Sequence, residues 1–182
     1  MPITIKSKKD IENMRIAGQK AAAVLNMLDQ YVVPGITTEE LDKIAFDFIT
    51  RDLKCIPANV GYNGYPKTLC TSLNSVICHG IPSETQTLKD GDILNIDVTV
   101  IENKWHGDTS KMYAVGKIQN FAKRLINITQ ECMYQGIKKV RPGEKLGTIG
   151  SAIQKHAENN HYSVVRDYCG HGIGKVYHEE PQ

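Results

Sequence analysis

Two aspartates on neighbouring predicted strands are the first residues whose types and spacing could do chemistry. Residues 92–101 alternate between apolar and polar side chains, which predicts a strand with Asp97 on its polar face. Residues 104–113 follow as a second strand, which carries Asp108. A two-residue turn at Glu102-Asn103 would place the two aspartates directly opposite each other, with their Cβ atoms about 5 Å apart.

Carboxylates at that spacing predict a cation between them. Like charges that face each other repel, or one of them takes up a proton, unless a divalent ion removes the conflict. Oxygen ligands of this kind suit one metal ion, or two ions bridged by a carboxylate. The alternative is structural: Asp108 follows Gly107 as a turn residue, and Asp97 protects an edge strand from aggregation. The two aspartates by themselves leave both interpretations open.

Histidines in glycine-rich segments are the second candidate group. His79 precedes a glycine, and His171 and His178 lie in the glycine-rich residues 169–181. Imidazole ligates metals and carries protons near neutral pH, and glycines beside His171 allow a close approach of the backbone to a ligand. Residues 170–175 lack the spacing and the Ser or Thr of a phosphate-binding loop, which excludes that function. Ordinary structural roles are expected for the remaining histidines, His106, His156 and His161.

Helices must position these residues, and the sequence marks where two of them begin. Ser7 with Asp10, and Thr37 with Glu40, have the spacing of capping boxes. The first box precedes apolar residues at steps of three and four, which predicts an amphipathic helix of about five turns. That helix must end at residues 33–35, Val-Pro-Gly, because proline and glycine both end helices. The second box begins a shorter helix.

The pattern of long helix, Val-x-Pro-Gly and shorter helix occurs twice. Pro34 in the first copy corresponds to Pro142 in the second, and apolar residues of the flanking helices match at the same spacing. We interpret the pattern as an internal duplication. The alternative is a coincidence, because Pro-Gly commonly separates two helices in unrelated sequences. At the same spacing, the strand pair that should follow the second copy of the helices would end well beyond Gln182. We therefore expect the chain to be truncated before its final strands.

The composition excludes several classes of function. Lys and Arg number 22 against 20 Asp and Glu, a net charge of +2, which gives no electrostatic footprint for nucleic acid. No apolar run approaches the roughly 18 residues of a membrane span, and charges between Lys6 and Asp10 interrupt the apolar block that a signal peptide needs. The five cysteines include no CxxC pair, which fits a reducing compartment. We expect a cytoplasmic protein of one domain.

A resemblance to a known family runs from the first helix to the last residue, and five segments in order carry it. They are residues 61–66, 74–82, 90–97, 107–109, and 170–174 with 178–181. The chain resembles the type I methionine aminopeptidases. The resemblance implies an α+β "pita-bread" fold of the creatinase/aminopeptidase type: a curved antiparallel sheet flanked by helices, with an internal pseudo-twofold repeat whose second half is incomplete here. Residues 1–182 would then be a single metallo-aminopeptidase catalytic domain.

The resemblance also implies the site. Asp97, Asp108 and His171 match metal ligands, with Asp108 as the bridging one, for two divalent ions chosen among cobalt, manganese, iron and zinc. The family has two further glutamate ligands downstream, beyond the end of this chain, so we expect an under-ligated site and impaired activity. His79 and His178 match unligated catalytic histidines that contact the substrate.

Other matched residues concern the substrate and a second kind of ion. Tyr62, Tyr65, Cys70 and Tyr177, together with the two catalytic histidines, match the pocket for the methionine side chain. Asn59 and Tyr177 stand where relatives often carry other residues. Asn74 and Val76 match a site for one monovalent cation.

The implied function is removal of the initiator methionine from nascent polypeptides, by attack of a metal-bound hydroxide on the first peptide carbonyl. The expected partners are nascent N-termini, encountered at the ribosome, with no nucleic acid or membrane and with the chain as a monomer. Two alternatives stay open. One is a prolidase or Xaa-Pro aminopeptidase, relatives that carry a large domain before the catalytic one; the other is a non-catalytic binding protein or fragment of the same fold.

Overall fold

The computed structural model describes residues 2–182, which form two units. Residues 2–118 and Gly170–Gln182 make up the first unit, and Gln119–Cys169 the second. Whether residues 1–182 act as one catalytic domain stays a prediction. None of the helices in the described chain is long and apolar enough to cross a membrane.

The helices of the first unit begin where the capping boxes predict. Helix α1 spans Lys8–Leu28 and helix α2 spans Thr38–Asp47, followed by a π-helical turn at Phe48–Asp52. Both predicted boxes are present, each with the two reciprocal hydrogen bonds that satisfy helix N–H groups otherwise left without a partner.

Four antiparallel strands form the sheet of the first unit. They are β1 at Ile56–Pro57, β2 at Leu69–Leu73, β3 at Ile93–Glu102 and β4 at Trp105–Ala114. β3 is central: β4 pairs along its whole length, while β2 and β1 pair in turn with the first and second parts of β3.

The two faces of β3 differ as the alternation predicts. Leu94, Ile96, Val98 and Val100 are fully buried in the core, where they cluster with residues of α1 and α2. The opposite face carries Asp97 and the candidate site. Because successive side chains of a strand point to opposite faces, each residue that enters the core on β3 places its neighbour on the polar side.

The predicted register of the β3–β4 hairpin is wrong by one residue in the turn. The strands pair Glu102 with Trp105, so the turn residues are Asn103 and Lys104, and Asp108 lies opposite Thr99 rather than Asp97. Both turn residues have positive φ, 48° and 71°, as a two-residue hairpin turn of the type that matches strand twist requires. Asparagine adopts this conformation much more readily than glutamate, which favours a turn that starts at Asn103.

The consequence for the aspartates is small because the shift preserves the face. Moving the turn by one residue displaces the pairing by two positions, and side chains alternate with a period of two. Asp97 now lies opposite Ser110, and Asp108 is its diagonal neighbour on the same face. Diagonal neighbours remain within reach of each other across an antiparallel pair.

The second unit repeats the helical pattern of the first. Helix α3 spans Asn120–Ile137 and helix α4 spans Gly147–Asn159, with Pro142-Gly143 between them. The two helices pack closely at Gly136, where an added Cβ would come within 2.9 Å of Ile153.

One glycine on β4 sets how closely α1 can approach the sheet. A Cβ at Gly107 would lie 2.1 Å from the carbonyl oxygen of Ala17, a backbone atom that cannot move aside cheaply. We predict that Gly107→Ala lowers the free energy of unfolding by about 3 kcal/mol, measured by urea denaturation.

The matched control is Gly18→Ala, one residue from the same contact. An added Cβ at Gly18 would meet none of the described atoms within 4 Å. Because alanine is a better helix former than glycine, this change should raise the free energy of unfolding by about 0.5–1 kcal/mol. Equal effects of the two substitutions would contradict the close approach of α1 to β4.

Candidate active site

The polar face of the β3–β4 hairpin brings the two aspartates into contact. Thr99 Oγ1 donates a hydrogen bond of 2.8 Å to Asp108 Oδ1, next to Asp97 on the same face. Burial, followed by the charge of Asp108, raises the pKa of Asp97 to about 7. The pair thus behaves as the sequence predicts for two carboxylates on one face: Asp97 keeps its proton to a much higher pH than an isolated aspartate does.

His171 reaches this pair from the segment that ends the chain. Its Nδ1 lies 2.9 Å from the carbonyl oxygen of Gly172, and its Nε2 lies 4.0 Å from Asp108 Oδ2. The contact with the carbonyl orients the ring, so that the other nitrogen is the one directed to the carboxylate.

Residues 172–181 double back to hold His171 and His178 side by side. The amide of Gly172 donates to Pro181 O and the amide of Glu179 donates to Gly172 O, each at 2.8 Å. A Cβ at Gly172 would lie 2.6 Å from Glu180 O, so only glycine permits this closure. The imidazole rings of the two histidines are consequently 4.2 Å apart between centroids.

Two further contacts fasten this segment to the rest of the first unit. Lys6 forms an ion pair with Glu179, and both side chains are largely buried. The backbone amide of His106, on β4, donates to Gly174 O at 2.9 Å, and its ring Nδ1 lies 3.0 Å from the same oxygen. Residues before α1 and on β4 therefore locate the segment that carries His171 and His178.

His178 is enclosed by aromatic rings and kept neutral. Its Nδ1 lies 2.7 Å from the hydroxyl of Tyr62, and its ring stacks on Tyr177 at 4.4 Å between centroids. Burial, followed by the neighbouring His171, lowers the pKa of His178 below its usual value. A neutral imidazole in this position can donate one proton and accept another.

A pocket of about 540 Å³ lies in front of these residues. Its walls contain all six residues that the resemblance assigns to the substrate. The complete lining consists of Asn59, Tyr62, Asn63, Gly64, Tyr65, Pro66, Cys70, His79, Ile81, Asp97, Tyr177 and His178. Asp97 is therefore the point at which the pocket meets the carboxylate pair.

Two residues of the pocket lining, Cys70 and Tyr65, carry no charge. Burial raises the pKa of the Cys70 thiol to about 11 and raises the pKa of Tyr65 as well, so both stay neutral at physiological pH. The Tyr65 hydroxyl lies 2.9 Å from Leu69 O and 3.0 Å from Gly80 O. Gly80 approaches β2 so closely that a Cβ there would lie 2.1 Å from Thr71 O, and this contact brings His79 to the pocket wall.

The two residues matched to a monovalent cation lie outside this pocket. The side chain of Asn74 donates to Asp92 Oδ1 at 2.8 Å and accepts from the amide of Ile93 at 3.0 Å. Val76 donates its backbone amide to Leu73 O. The monovalent cation site at Asn74 and Val76 stays a prediction.

The donor set suits a divalent cation by its chemistry. Two carboxylates that share a proton, with an imidazole nitrogen 4.0 Å from one of them, are hard and borderline ligands that such an ion would bind after displacing the proton. Within residues 2–182, however, no three His, Cys, Asp or Glu side chains already have the spacing of a metal site. The predicted role of Asp97, Asp108 and His171 as ligands stays a prediction.

Sequence reasoning overlooked several residues that shape the site. Thr99 lies two residues after Asp97 on the same polar face, but no function was assigned to it from the sequence. His106 was expected to be ordinary, although it holds Gly174 and stacks on Tyr177 at 5.4 Å. The alternation along β3 and β4 could have indicated both, because they share a face with Asp97 and Asp108. Lys6 gave no signal, because its partner lies 173 positions away.

Comparison with known proteins identifies relatives along the whole chain. Residues 12–182 match the metallopeptidase family M24. The methionine aminopeptidase of Salmonella typhimurium is 58% identical over 182 residues, which are 100% of this chain and 69% of that protein. The crystal structure of methionine aminopeptidase from Rickettsia prowazekii is 52% identical, with a TM-score of 0.97, and the match covers 99% of this chain and 72% of that one.

A more distant structure shares the fold alone. The X-Pro aminopeptidase from Thermotoga maritima is 18% identical with a TM-score of 0.79, and this chain spans 48% of its length. The α+β pita-bread fold that the sequence predicts is therefore confirmed, and the Xaa-Pro peptidase alternative is not favoured.

We predict that the ion pair at Glu179 stabilises the fold in a pH-dependent way. The hydrogen bond from Lys6 is the main cause that lowers the pKa of Glu179 below its usual 4.5. The folded chain therefore binds this proton less readily than the unfolded chain, and the stabilisation present at neutral pH is lost as the pH falls below about 4.5. Glu179→Gln should lower the free energy of unfolding at pH 7, and the difference from wild type should shrink towards acid pH.

The matched control is Glu84→Gln, at an exposed glutamate whose side chain is 80% accessible. That substitution should change the free energy of unfolding little at any pH, because exposed ion pairs contribute at most about 1 kcal/mol. Urea denaturation series at several pH values provide the measurement. A Glu179→Gln difference that stays constant with pH would contradict the role of this ion pair.

Proposed function

The chain belongs to the methionine aminopeptidases of metallopeptidase family M24, and on that premise we propose that it removes the initiator methionine from the N-termini of nascent polypeptides. The observation that carries the proposal is the pocket that ends at Asp97, with both His79 and His178 in its walls. A substrate side chain in this pocket would present its first peptide bond to the carboxylates and imidazoles at the same time.

The pocket suits the side chain of methionine. Tyr62, Tyr65 and Tyr177 supply aromatic rings, and thioether sulfur packs favourably against such rings. Cys70 and Tyr65 are neutral, so this part of the pocket wall carries no charge that an apolar side chain would have to desolvate. A volume of about 540 Å³ accommodates one side chain and the adjoining backbone.

Asp97, Asp108 and His171 would hold divalent metal ions, of which the resemblance implies two. A metal ion bound there would polarise the peptide carbonyl and supply a nucleophile at neutral pH. Cobalt, manganese, iron and zinc are all compatible with two carboxylates and one imidazole. The monovalent cation at Asn74 and Val76 belongs to the same proposal.

His178 and His79 would act on the peptide bond itself. In the tautomer whose Nδ1 accepts a hydrogen bond from the Tyr62 hydroxyl, the hydrogen of the neutral ring lies on Nε2. From the pocket wall this N–H can donate to the oxygen of the scissile carbonyl as negative charge develops on it. His79, in the same wall, would contact the nitrogen of the scissile amide.

The setting we propose is the cytoplasm, with nascent chains at the ribosome as the source of substrate and the protein acting as a monomer. The five cysteines support a reducing compartment, because all of them are unpaired thiols and Cys55, Cys70 and Cys132 are buried.

We predict that the chain releases methionine from a Met-Ala-Ser peptide when a divalent metal is supplied, at a low rate because its metal site is expected to be under-ligated, and that EDTA abolishes the release. His178→Ala should lower kcat about 10²–10³-fold, the usual effect of removing one donor to a developing oxyanion. Asp97→Asn should remove activity through loss of a ligand. Amino-acid analysis of free methionine over time provides the measurement.

The control variant is Tyr113→Phe, which deletes a buried hydroxyl that bonds Leu25 O on the helix side of the sheet and should leave kcat unchanged. Faster cleavage of an Ala-Pro peptide would favour the Xaa-Pro peptidase instead. Peptide binding without cleavage in any metal would favour a binding protein.

A further inference from the structure

A continuous hydrogen-bonded chain connects the pocket to Asp108. The Tyr177 hydroxyl donates to Asn59 Oδ1 at 2.7 Å and lies 2.6 Å from Thr99 Oγ1. Thr99 in turn donates to Asp108 Oδ1 at 2.8 Å. Asn59 is 6% exposed and Thr99 is fully buried, so water does not compete for these bonds.

Each residue of this hydrogen-bonded series is oriented by contacts with other parts of the protein. Asn59 Nδ2 donates to Thr68 O at 2.9 Å, which leaves its Oδ1 as the acceptor for Tyr177. The ring of Tyr177 is held between other rings, 4.4 Å from His178 and 4.8 Å from Tyr62 between centroids. Thr99 is fixed within β3. The hydrogen-bonded series is therefore held at Asn59 and at Thr99 before any ion binds.

The arrangement decides how the Asp108 carboxylate is turned. Its Oδ1 is occupied by Thr99, while its Oδ2 lies 4.0 Å from His171 Nε2. Thr99 donates its hydrogen bond to Oδ1 of Asp108, and the Tyr177 hydroxyl donates to Asn59 Oδ1. Rotation of the carboxylate would break the bond from Thr99 and leave this buried hydroxyl with only the Tyr177 oxygen as an acceptor.

We infer that Asn59, Tyr177 and Thr99 are positioning residues, which hold the Asp108 carboxylate so that Oδ2 faces His171 and can bind a divalent cation with it. This inference rests on the proposed function, because it requires a cation at Asp108. It gives both Tyr177 and Asn59 a positioning role in addition to lining the pocket. Outer partners of this kind typically change metal affinity about 10–100-fold.

The experiment measures the binding of Mn²⁺ in the absence of peptide, so that any contact between Tyr177 and a substrate cannot affect the result. Calorimetric titration of the full chain gives the Kd for wild type, Tyr177→Phe, Thr99→Val and the double variant. We expect each single variant to raise the Kd about 10–100-fold. The double variant should be little weaker than either single one, because all the members act through the same carboxylate oxygen.

Matched variants separate positioning from general stability. Thr71→Val changes a buried threonine on the neighbouring strand whose hydroxyl has no hydrogen-bond partner among residues 2–182, and it should leave the Kd unchanged. Tyr113→Phe deletes another buried tyrosine hydroxyl and should also leave the Kd unchanged. Thr99→Ser keeps the hydroxyl and should bind Mn²⁺ within about threefold of wild type. Thermal melting of each variant is recorded alongside.

The outcomes distinguish this inference from the function on which it rests. Wild-type Kd values in Tyr177→Phe and Thr99→Val overturn the inference and leave the proposed function in place, and so does a fall in melting temperature without a change in Kd. Equal Mn²⁺ affinity of wild type and Asp108→Asn overturns the proposed ligand set, and the inference with it. Weaker Mn²⁺ binding by Tyr177→Phe and Thr99→Val, with Thr99→Ser and both controls unaffected, supports the inference.

Discussion

The enforced proximity of two carboxyl groups on one side of the β3–β4 hairpin is the constraint on which the site depends. Burial and mutual repulsion raise the pKa of Asp97 to about 7, so the pair is stable in the folded chain only when it shares a proton or binds a cation. The fold supplies the energy that brings the two groups together. The opposite face of β3 carries four fully buried aliphatic residues, each worth about 1.5–3 kcal/mol on burial.

The remaining parts of the site are arranged around that pair. The segment Gly170–Gln182 folds back on itself and is fastened by Lys6 and by His106, which places His171 next to Asp108 and His178 at the pocket. The ring of Tyr177 stacks on His178 and meets the ring of His171 edge-on, and Tyr62 packs against His178. A single contact network thus joins the residues that would bind a metal, those that would act on the peptide bond and those that would recognise the side chain.

Much of the first unit could be predicted from local patterns. Both capping boxes form, and the alternation along β3 correctly separates the core face from the polar face, because capping and pleating depend only on residues a few positions apart. The hairpin register was predicted wrongly because the turn was placed at Glu102, where a positive φ is unfavourable, instead of at Asn103. The error left Asp97 and Asp108 on the same face, since pairing shifted by two positions.

The sequence by itself determined the kinds of groups available and the faces on which they lie: two aspartates on the polar side of one hairpin, and histidines in glycine-rich segments. Only the tertiary structure decided that Tyr177 meets Asn59 and Thr99, or that Lys6 meets Glu179, because these partners are separated by 118, 78 and 173 positions. No local pattern encodes such pairs. They arise when the packing of the helices on the sheet and the return of the last segment bring distant residues to the same place.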